Sequence, residues 1–297
     1  MALQPPPRLV TALGETAQDG DDWLEKLPEA AEQAAALREL TVERVHVPGG
    51  RSSLVVLVRC ADGTPAVLKL VPPRSRPAGE RAALAHWGGF GAVRLLDPSA
   101  SDGALLLERL HRDVSVRSLP EAKALLEAAG TLRRLWVEPP AEHRFETVAE
   151  RTGRQADAMR ASADAEVAPL VDAALAAREE LLGGDAEVRL LHGTFRQSKV
   201  LQGDRVPWLA VGPDPVVGEC AFDLARLVRD RVEDLIASPS GASITRRRVK
   251  KLAESLDVDQ ERLRGWTLFR AVESGVRARR VGREQDAELL LEFAGWL

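Results

Sequence analysis

Tyrosine is absent from the 297 residues, cysteine and methionine occur twice each, and aromatic side chains make up only 4% of the chain. The two cysteines, Cys60 and Cys220, lie far apart and without metal-ligand spacing. That excludes a disulfide framework and a cysteine-based zinc site, and it reads as two reduced, part-buried small hydrophobes. No stretch approaches 18 consecutive apolar residues, as a membrane-spanning helix requires. The start, "MALQPPPRLV", has neither a cationic n-region nor a long apolar h-region, so the sequence leads to the expectation of a cytoplasmic protein without an export signal. A net charge of −4 gives no basic surplus for nucleic acid or an anionic membrane, and neither is expected as a partner. What is present, 45% hydrophobic and 29% charged residues, suits a globular chain able to bury a substantial core.

The hydrophobic period changes along the chain. "DDWLEKLPEAAEQAAALREL" carries apolar residues at helical spacing with acids in its first turn, and predicts a helix interrupted or restarted near Pro28. From Thr41 the runs "TVERVHV", "SLVVLVRC" and "PAVLKLV" are short and β-branched, separated by Pro48-Gly49-Gly50 and Asp62-Gly63, as in an antiparallel meander. "AGERAALAHW" predicts a helix, and "AVRLLD" and "GALLLERL" two more strands. Beyond Leu110 helical periodicity dominates: Pro120–Val137, about Thr147–Leu182, Cys220–Ala237 and Ile244 to the end. This order predicts an α+β protein of two lobes, residues 1–110 with an N-terminal helix and antiparallel sheet and residues 111–297 mainly helical, hinged at Glu108-Arg109-Leu110.

Lys69 closes the apolar run "AVLKL", where an ammonium must leave the core or meet an anion. Glu80 on the following helix offers that anion. Upstream, "VPGGRSS", with Gly49, Gly50 and Ser52, sits between two strands as a flexible loop over phosphates would. Together with the hinge residues Glu108 and Leu110, these make the nucleotide-gripping half of a kinase-type site. The other half needs a carboxylate beside the acceptor hydroxyl, an Asn shortly after it, and a metal-binding Asp at the end of a later strand. "LLHGTFRQSKVL" and "WLAVGPDP" have the order and spacing for those parts.

The segments "DWLEKLPE", "DGTPAVLKLVPP", "GERAALAHWGGFGAVRLLD", "GALLLERL", "LLHG", "WLAVGPDPVVGECAFDLARLVRDR" and "GWTLFRAVESG" resemble the streptomycin 6-kinase and hydroxyurea-resistance branch of the aminoglycoside phosphotransferase family, from Trp23 to the C-terminus. The resemblance implies a bilobal protein-kinase-like fold. In that family the loop reads H-G-D-x-x-x-x-N and the later strand ends in D-P. Against that pattern the base falls on Thr194, the Asn on Lys199 and the metal-binding Asp on Gly212. A threonine hydroxyl does not accept a proton at neutral pH, an ammonium repels Mg²⁺, and glycine offers no side-chain ligand.

The expectation drawn from these three positions is a catalytically impaired, pseudokinase-like protein, not an enzyme, acting by binding a protein partner or an anionic ligand in a bacterial pathway. No metal is expected, and no cofactor unless ATP binds without Mg²⁺. The alternative is an active ATP-dependent O-phosphotransferase with an alcohol group as acceptor and a displaced catalytic group, Asp214 or His192. Glu219 and Asp223 in "GECAFDLA" are read as capping and anchoring residues. Family substrates are polycationic and need acidic surroundings, yet "RRRVKK" (Arg246–Lys251) and "RARR" (Arg277–Arg280) lie in the helical half.

Overall fold

The computed structural model describes residues 3–15, 22–100 and 102–297. Its elements run α1 (Pro7–Gly14), α2 (Trp23–Leu37), β1 (Thr41–Val45), β2 (Leu54–Arg59), β3 (Pro65–Leu70), α3 (Pro77–Trp87), β4 (Ala104–Glu108), β5 (His111–Ser115), α4 (Glu121–Leu135), α5 (Val148–Ser162) and α6 (Ala168–Leu182). They continue with β6 (Arg189–Leu191), β7 (Val200–Gln202), β8 (Trp208–Ala210), β9 (Val216–Gly218), α7 (Cys220–Val228), α8 (Val232–Ile236), α9 (Gly241–Leu256), α10 (Gln260–Arg280) and α11 (Glu284–Ala294). Two compact units result, one of residues 1–113 with 202–211 and the other of residues 114–201 with 212–297. The first unit thus runs a little past the expected hinge and takes back a later segment. Among the described residues no helix is long and apolar enough to cross a membrane.

The first unit is built on an antiparallel sheet in the order β1-β2-β3-β4. Side chains alternate across β3: Ala66, Leu68 and Leu70 are buried, while Val67 and Lys69 between them are half-buried on the other face. The buried face packs with Leu27, Ala31, Ala34 and Ala35 of α2. Arg109, past the end of β4, binds the sheet from its edge: its guanidinium donates to the carbonyl oxygens of Ala66 and Val58 and meets Glu43 at 2.8 Å.

In the second unit α10 is the central element, packed against α11, α6 and α7. Trp266 is fully buried there, edge-on to Phe222 at 5.2 Å and to Phe269 at 5.9 Å. The β6–β9 antiparallel pair carries the loop that follows Leu191.

Several elements depart from the sequence reading. Helix α2 runs unbroken through Pro28. Pro28 lies near the helix start, where it forfeits one backbone bond while the buried stripe through Leu27 and Ala31 holds the helix together. "AVRLLD" forms isolated bridges at Ala92 and Leu95 instead of a strand. The expected helix over 147–182 is two, because the Asp164 carboxylate accepts the backbone N–H groups of Glu166 and Val167 and turns the chain before Pro169 restarts it in the first turn of α6. The segment 220–237 is likewise split at Arg231, whose φ is +59°. From residue 241 on there are three helices, with Asp257 left-handed after α9 and Asp259 capping α10 through the Arg262 N–H at 2.8 Å. The thiols of Cys60 and Cys220 are free and half-buried, and burial pushes Cys220 up to about 12, which leaves it protonated and inert at neutral pH.

Leu68 is 0% exposed at the centre of the first unit's core, so Leu68→Ala is expected to lose about 2–5 kcal/mol of stability. Leu37→Ala, at a side chain 74% exposed, should stay within about 0.5 kcal/mol of the parent. Urea unfolding of both variants checks the pair.

Candidate active site

In the first unit Lys69 Nζ lies 2.5 and 2.6 Å from the two carboxylate oxygens of Glu80. Their side chains are 12% and 6% exposed, so each ion neutralises the other where neither could be left alone. Glu80 also stands in the first turn of α3, at the positive end of the helix dipole. The hairpin loop between β1 and β2 holds Gly49, Gly50 and Ser52. Gly49 takes φ +79°, with the Pro6 ring against it: a Cβ there would lie 2.9 Å from the ring. Arg51 reaches Glu15 at 2.7 Å, so the N-terminal helical segment lines this loop. Glu108 accepts the Arg94 N–H at 2.8 Å and pairs with Arg205 at 2.9 Å, and Leu110 is buried.

In the second unit the loop after β6 is clamped from below. The fully buried Asp223 carboxylate accepts the N–H groups of His192 at 2.8 Å and Gly193 at 3.0 Å. Burial pushes that carboxyl above the usual range, opposed by the Arg270 guanidinium and the two N–H groups. Arg270 donates to the Gly193 carbonyl at 2.6 Å and to that of Phe222 at 2.7 Å. Further along, the Gln197 N–H is held by Asp230 at 2.6 Å. Gly193 is required by geometry: φ is +77°, and a Cβ would fall 1.9 Å from the Asp214 carbonyl oxygen.

Thr194, Lys199 and Gly212, the three positions set against the family motif in the sequence, come together. Lys199 Nζ donates to Thr194 Oγ1 at 2.6 Å and to the Gly212 carbonyl at 2.7 Å, and Thr194 Oγ1 in turn donates to that carbonyl at 3.3 Å. A site for Mg²⁺ needs anionic or neutral oxygens arranged around open space. Here the donor set is one hydroxyl, one carbonyl and an ammonium directed at both. These residues do not fit Mg²⁺. Among the described residues, no other cluster of histidine, cysteine and carboxylate side chains could hold a metal ion.

Of the two residues considered as substitutes, His192 is 0% exposed, edge-on to Phe195 at 5.5 Å, and its Nδ1 accepts the Thr194 N–H at 3.3 Å. It is sealed from any acceptor. Asp214 is 50% exposed, and its backbone lies directly against Gly193. Its two carboxylate oxygens each receive a bond of 3.0 Å from Arg151. Arg151 is itself held by Glu146 at 2.9 Å.

Arg151 was not marked by sequence, since nothing in "VAERTGRQ" separates it from the other arginines of an exposed-looking helix. Glu219 anchors α10 through Arg262 at 2.6 Å and through the Trp266 indole N–H. Within "RRRVKK", Arg248 is buried and donates to the carbonyls of Val228 and Asp230 at 2.7 Å, so this run is partly framework. In "RARR", Arg277 pairs with Glu273 and Arg279 with Glu166.

Comparison with known proteins places this geometry in a lineage. The chain is 33% identical over 264 residues to streptomycin 6-kinase of Streptomyces glaucescens, covering 87% of this chain and 85% of that protein. It is 36% identical over 270 residues to hydroxyurea phosphotransferase of Kitasatospora aureofaciens, covering 86% and 74%. The crystal structure of aminoglycoside phosphotransferase APH(4)-Ia superposes with a TM-score of 0.61 at 17% identity, over 90% of this chain and 97% of that one, a likeness of fold. The fold is the α+β, bilobal protein-kinase-like one of aminoglycoside phosphotransferases. The relatives are a kinase and a phosphotransferase by name, which overturns the expectation of a chain that is not an enzyme. The family model for aminoglycoside/hydroxyurea antibiotic resistance kinases matches residues 38–282, and the chain belongs to that family.

Proposed function

We propose that this chain is a cytoplasmic ATP-dependent O-phosphotransferase that acts on an alcohol group of a small molecule, with Asp214 as the displaced catalytic carboxylate and Lys199 as a fixed cation in place of a metal ion. The observation that carries the reading is the pair of intact devices in the two units: the buried Lys69–Glu80 ion pair and the clamped loop beside Asp214.

Phosphoryl transfer through a loose transition state demands little covalent chemistry, so charge placement and orientation dominate. Lys69, oriented by Glu80, offers its remaining N–H to nucleotide phosphate oxygens. Lys199 presents a positive charge whose position is fixed by two hydrogen bonds, so no reorganisation is needed as charge develops. Asp214 accepts the acceptor hydroxyl proton. Its grip by Arg151 fixes the carboxylate's direction while half its surface stays open to solvent. A base of this kind contributes about 10²–10⁴ in rate.

The test is ATP-dependent product formation, read by mass spectrometry, with a panel containing streptomycin, hydroxyurea, neutral sugars and sugar phosphates. Phosphorylated product is expected from at least one compound, lost on Lys69→Ala. A panel without product, or turnover indifferent to Lys69→Ala, overturns the proposal.

Two further variants separate the roles. Asp214→Asn should lower kcat by about 10²-fold or more with KM for ATP little changed. Lys199→Met should lower kcat/KM for ATP by about 10²-fold, the loss associated with one preorganised electrostatic donor.

A further inference from the structure

On the second unit, the loop residue Arg196 is adjacent to Gln197, whose N–H is bonded by Asp230 at the end of α7. Arg226 stands one turn back, and Arg229 immediately before Asp230 at the helix C-cap. Arg229 is buried and donates to Ser274 Oγ at 3.0 Å, and Arg277 donates to the same oxygen at 3.4 Å, so two guanidiniums converge on one hydroxyl. Glu273 pairs with Arg277 at 2.9 Å and accepts the Ser274 hydroxyl at 3.0 Å.

Arg226 differs from the rest. It is half-buried, and among the described residues its guanidinium makes no hydrogen bond and no ion pair. Burial, and then repulsion from Arg196 and Arg277, push it down to about 10, with Glu273 and Asp230 opposing. Arg229 is pushed down to about 9, first by burial and then by Arg226. A guanidinium stays charged at neutral pH in any case, and what these directions register is first its burial and then the positive charge beside it. Arg196 and Arg277 are the guanidiniums, and Glu273 and Asp230 the carboxylates, that act most on Arg226. A half-buried guanidinium without a protein partner is free to pair with an anion. Arginine's planar fork suits a phosphate or carboxylate group.

We infer that this arginine cluster, centred on Arg226 and reached through loop residue Arg196, binds an oxyanion carried by a hydroxylated small molecule, so that the acceptor is anionic. As an assignment of the acceptor it rests on the phosphotransferase reading, because Arg196 shares its loop with Thr194 and Lys199. As a binding site it stands on the arginines alone. Phosphate esters and sugar acids carry the same chemistry, and the experiment separates them.

Calorimetry on the full chain without nucleotide compares glucose 6-phosphate, gluconate and glucose. At least one of the two anions should bind at least tenfold more tightly than glucose. Arg226→Gln should weaken it at least tenfold. Arg196→Gln, at an exposed position, should weaken it severalfold, and Lys69→Ala should leave it unchanged. Preference for glucose 6-phosphate assigns a phosphate ester, and preference for gluconate a carboxylate. Equal binding of glucose and both anions, absence of binding, or an affinity that ignores both arginine substitutions overturns the inference. Anion binding without ATP-dependent product would sink the kinase reading and leave this site standing. Turnover of a cationic aminoglycoside by a chain that binds neither anion would do the reverse.

Discussion

The ammonium of Lys199, held between Thr194 Oγ1 and the Gly212 carbonyl, is the contact on which the proposed chemistry of the helical unit depends. It places a positive charge at the positions where the family motif gathers oxygen ligands for a cation. A divalent ion about 4 Å away would meet a repulsion on the order of 8 kcal/mol at an effective dielectric of about 20. No carboxylate at Thr194 or Gly212 compensates for that. In the proposed reading one protein cation stands in for a diffusible one, with a fixed position and half the charge.

The carboxylates nearest the loop serve another purpose. Asp223 and Asp230 spend their oxygens on backbone N–H groups, of His192 and Gly193 in one case and Gln197 in the other. They hold the loop's path, and Arg270 holds it from the carbonyl side. The path of the loop is thus fixed from both its N–H and its carbonyl sides. Asp214 lies against it because Gly193 leaves room for its backbone, which explains how a carboxylate outside the motif comes to stand beside the loop. The surplus of arginine along α10 has the same sign as Lys199.

Much of this was legible in the sequence. The period-2 runs from Thr41 to Leu70 gave the meander, because one buried face leaves an unambiguous alternation, and Lys69 at the end of such a run had to find an anion. The helix boundaries were less legible. Breaks at Asp164, Arg231 and Asp257 depend on a side-chain-to-backbone bond or a left-handed residue, which leave the hydrophobic period on either side undisturbed. The same limit hid Arg151 and Arg226. An arginine on a helix has one appearance in sequence whether it faces solvent, grips Asp214 or lies half-buried without a partner, and only packing separates these cases. His192 was considered as a base only in the alternative reading, and its complete burial keeps it from an acceptor.

The account turns on the fixed cation, and calorimetric titration of ATP into the full chain, with Mg²⁺ and with EDTA, tests it most directly. It predicts dissociation constants within about threefold of each other, since Lys199 already supplies the charge. Tightening of tenfold or more on adding Mg²⁺, worth about 1.4 kcal/mol, would contradict it.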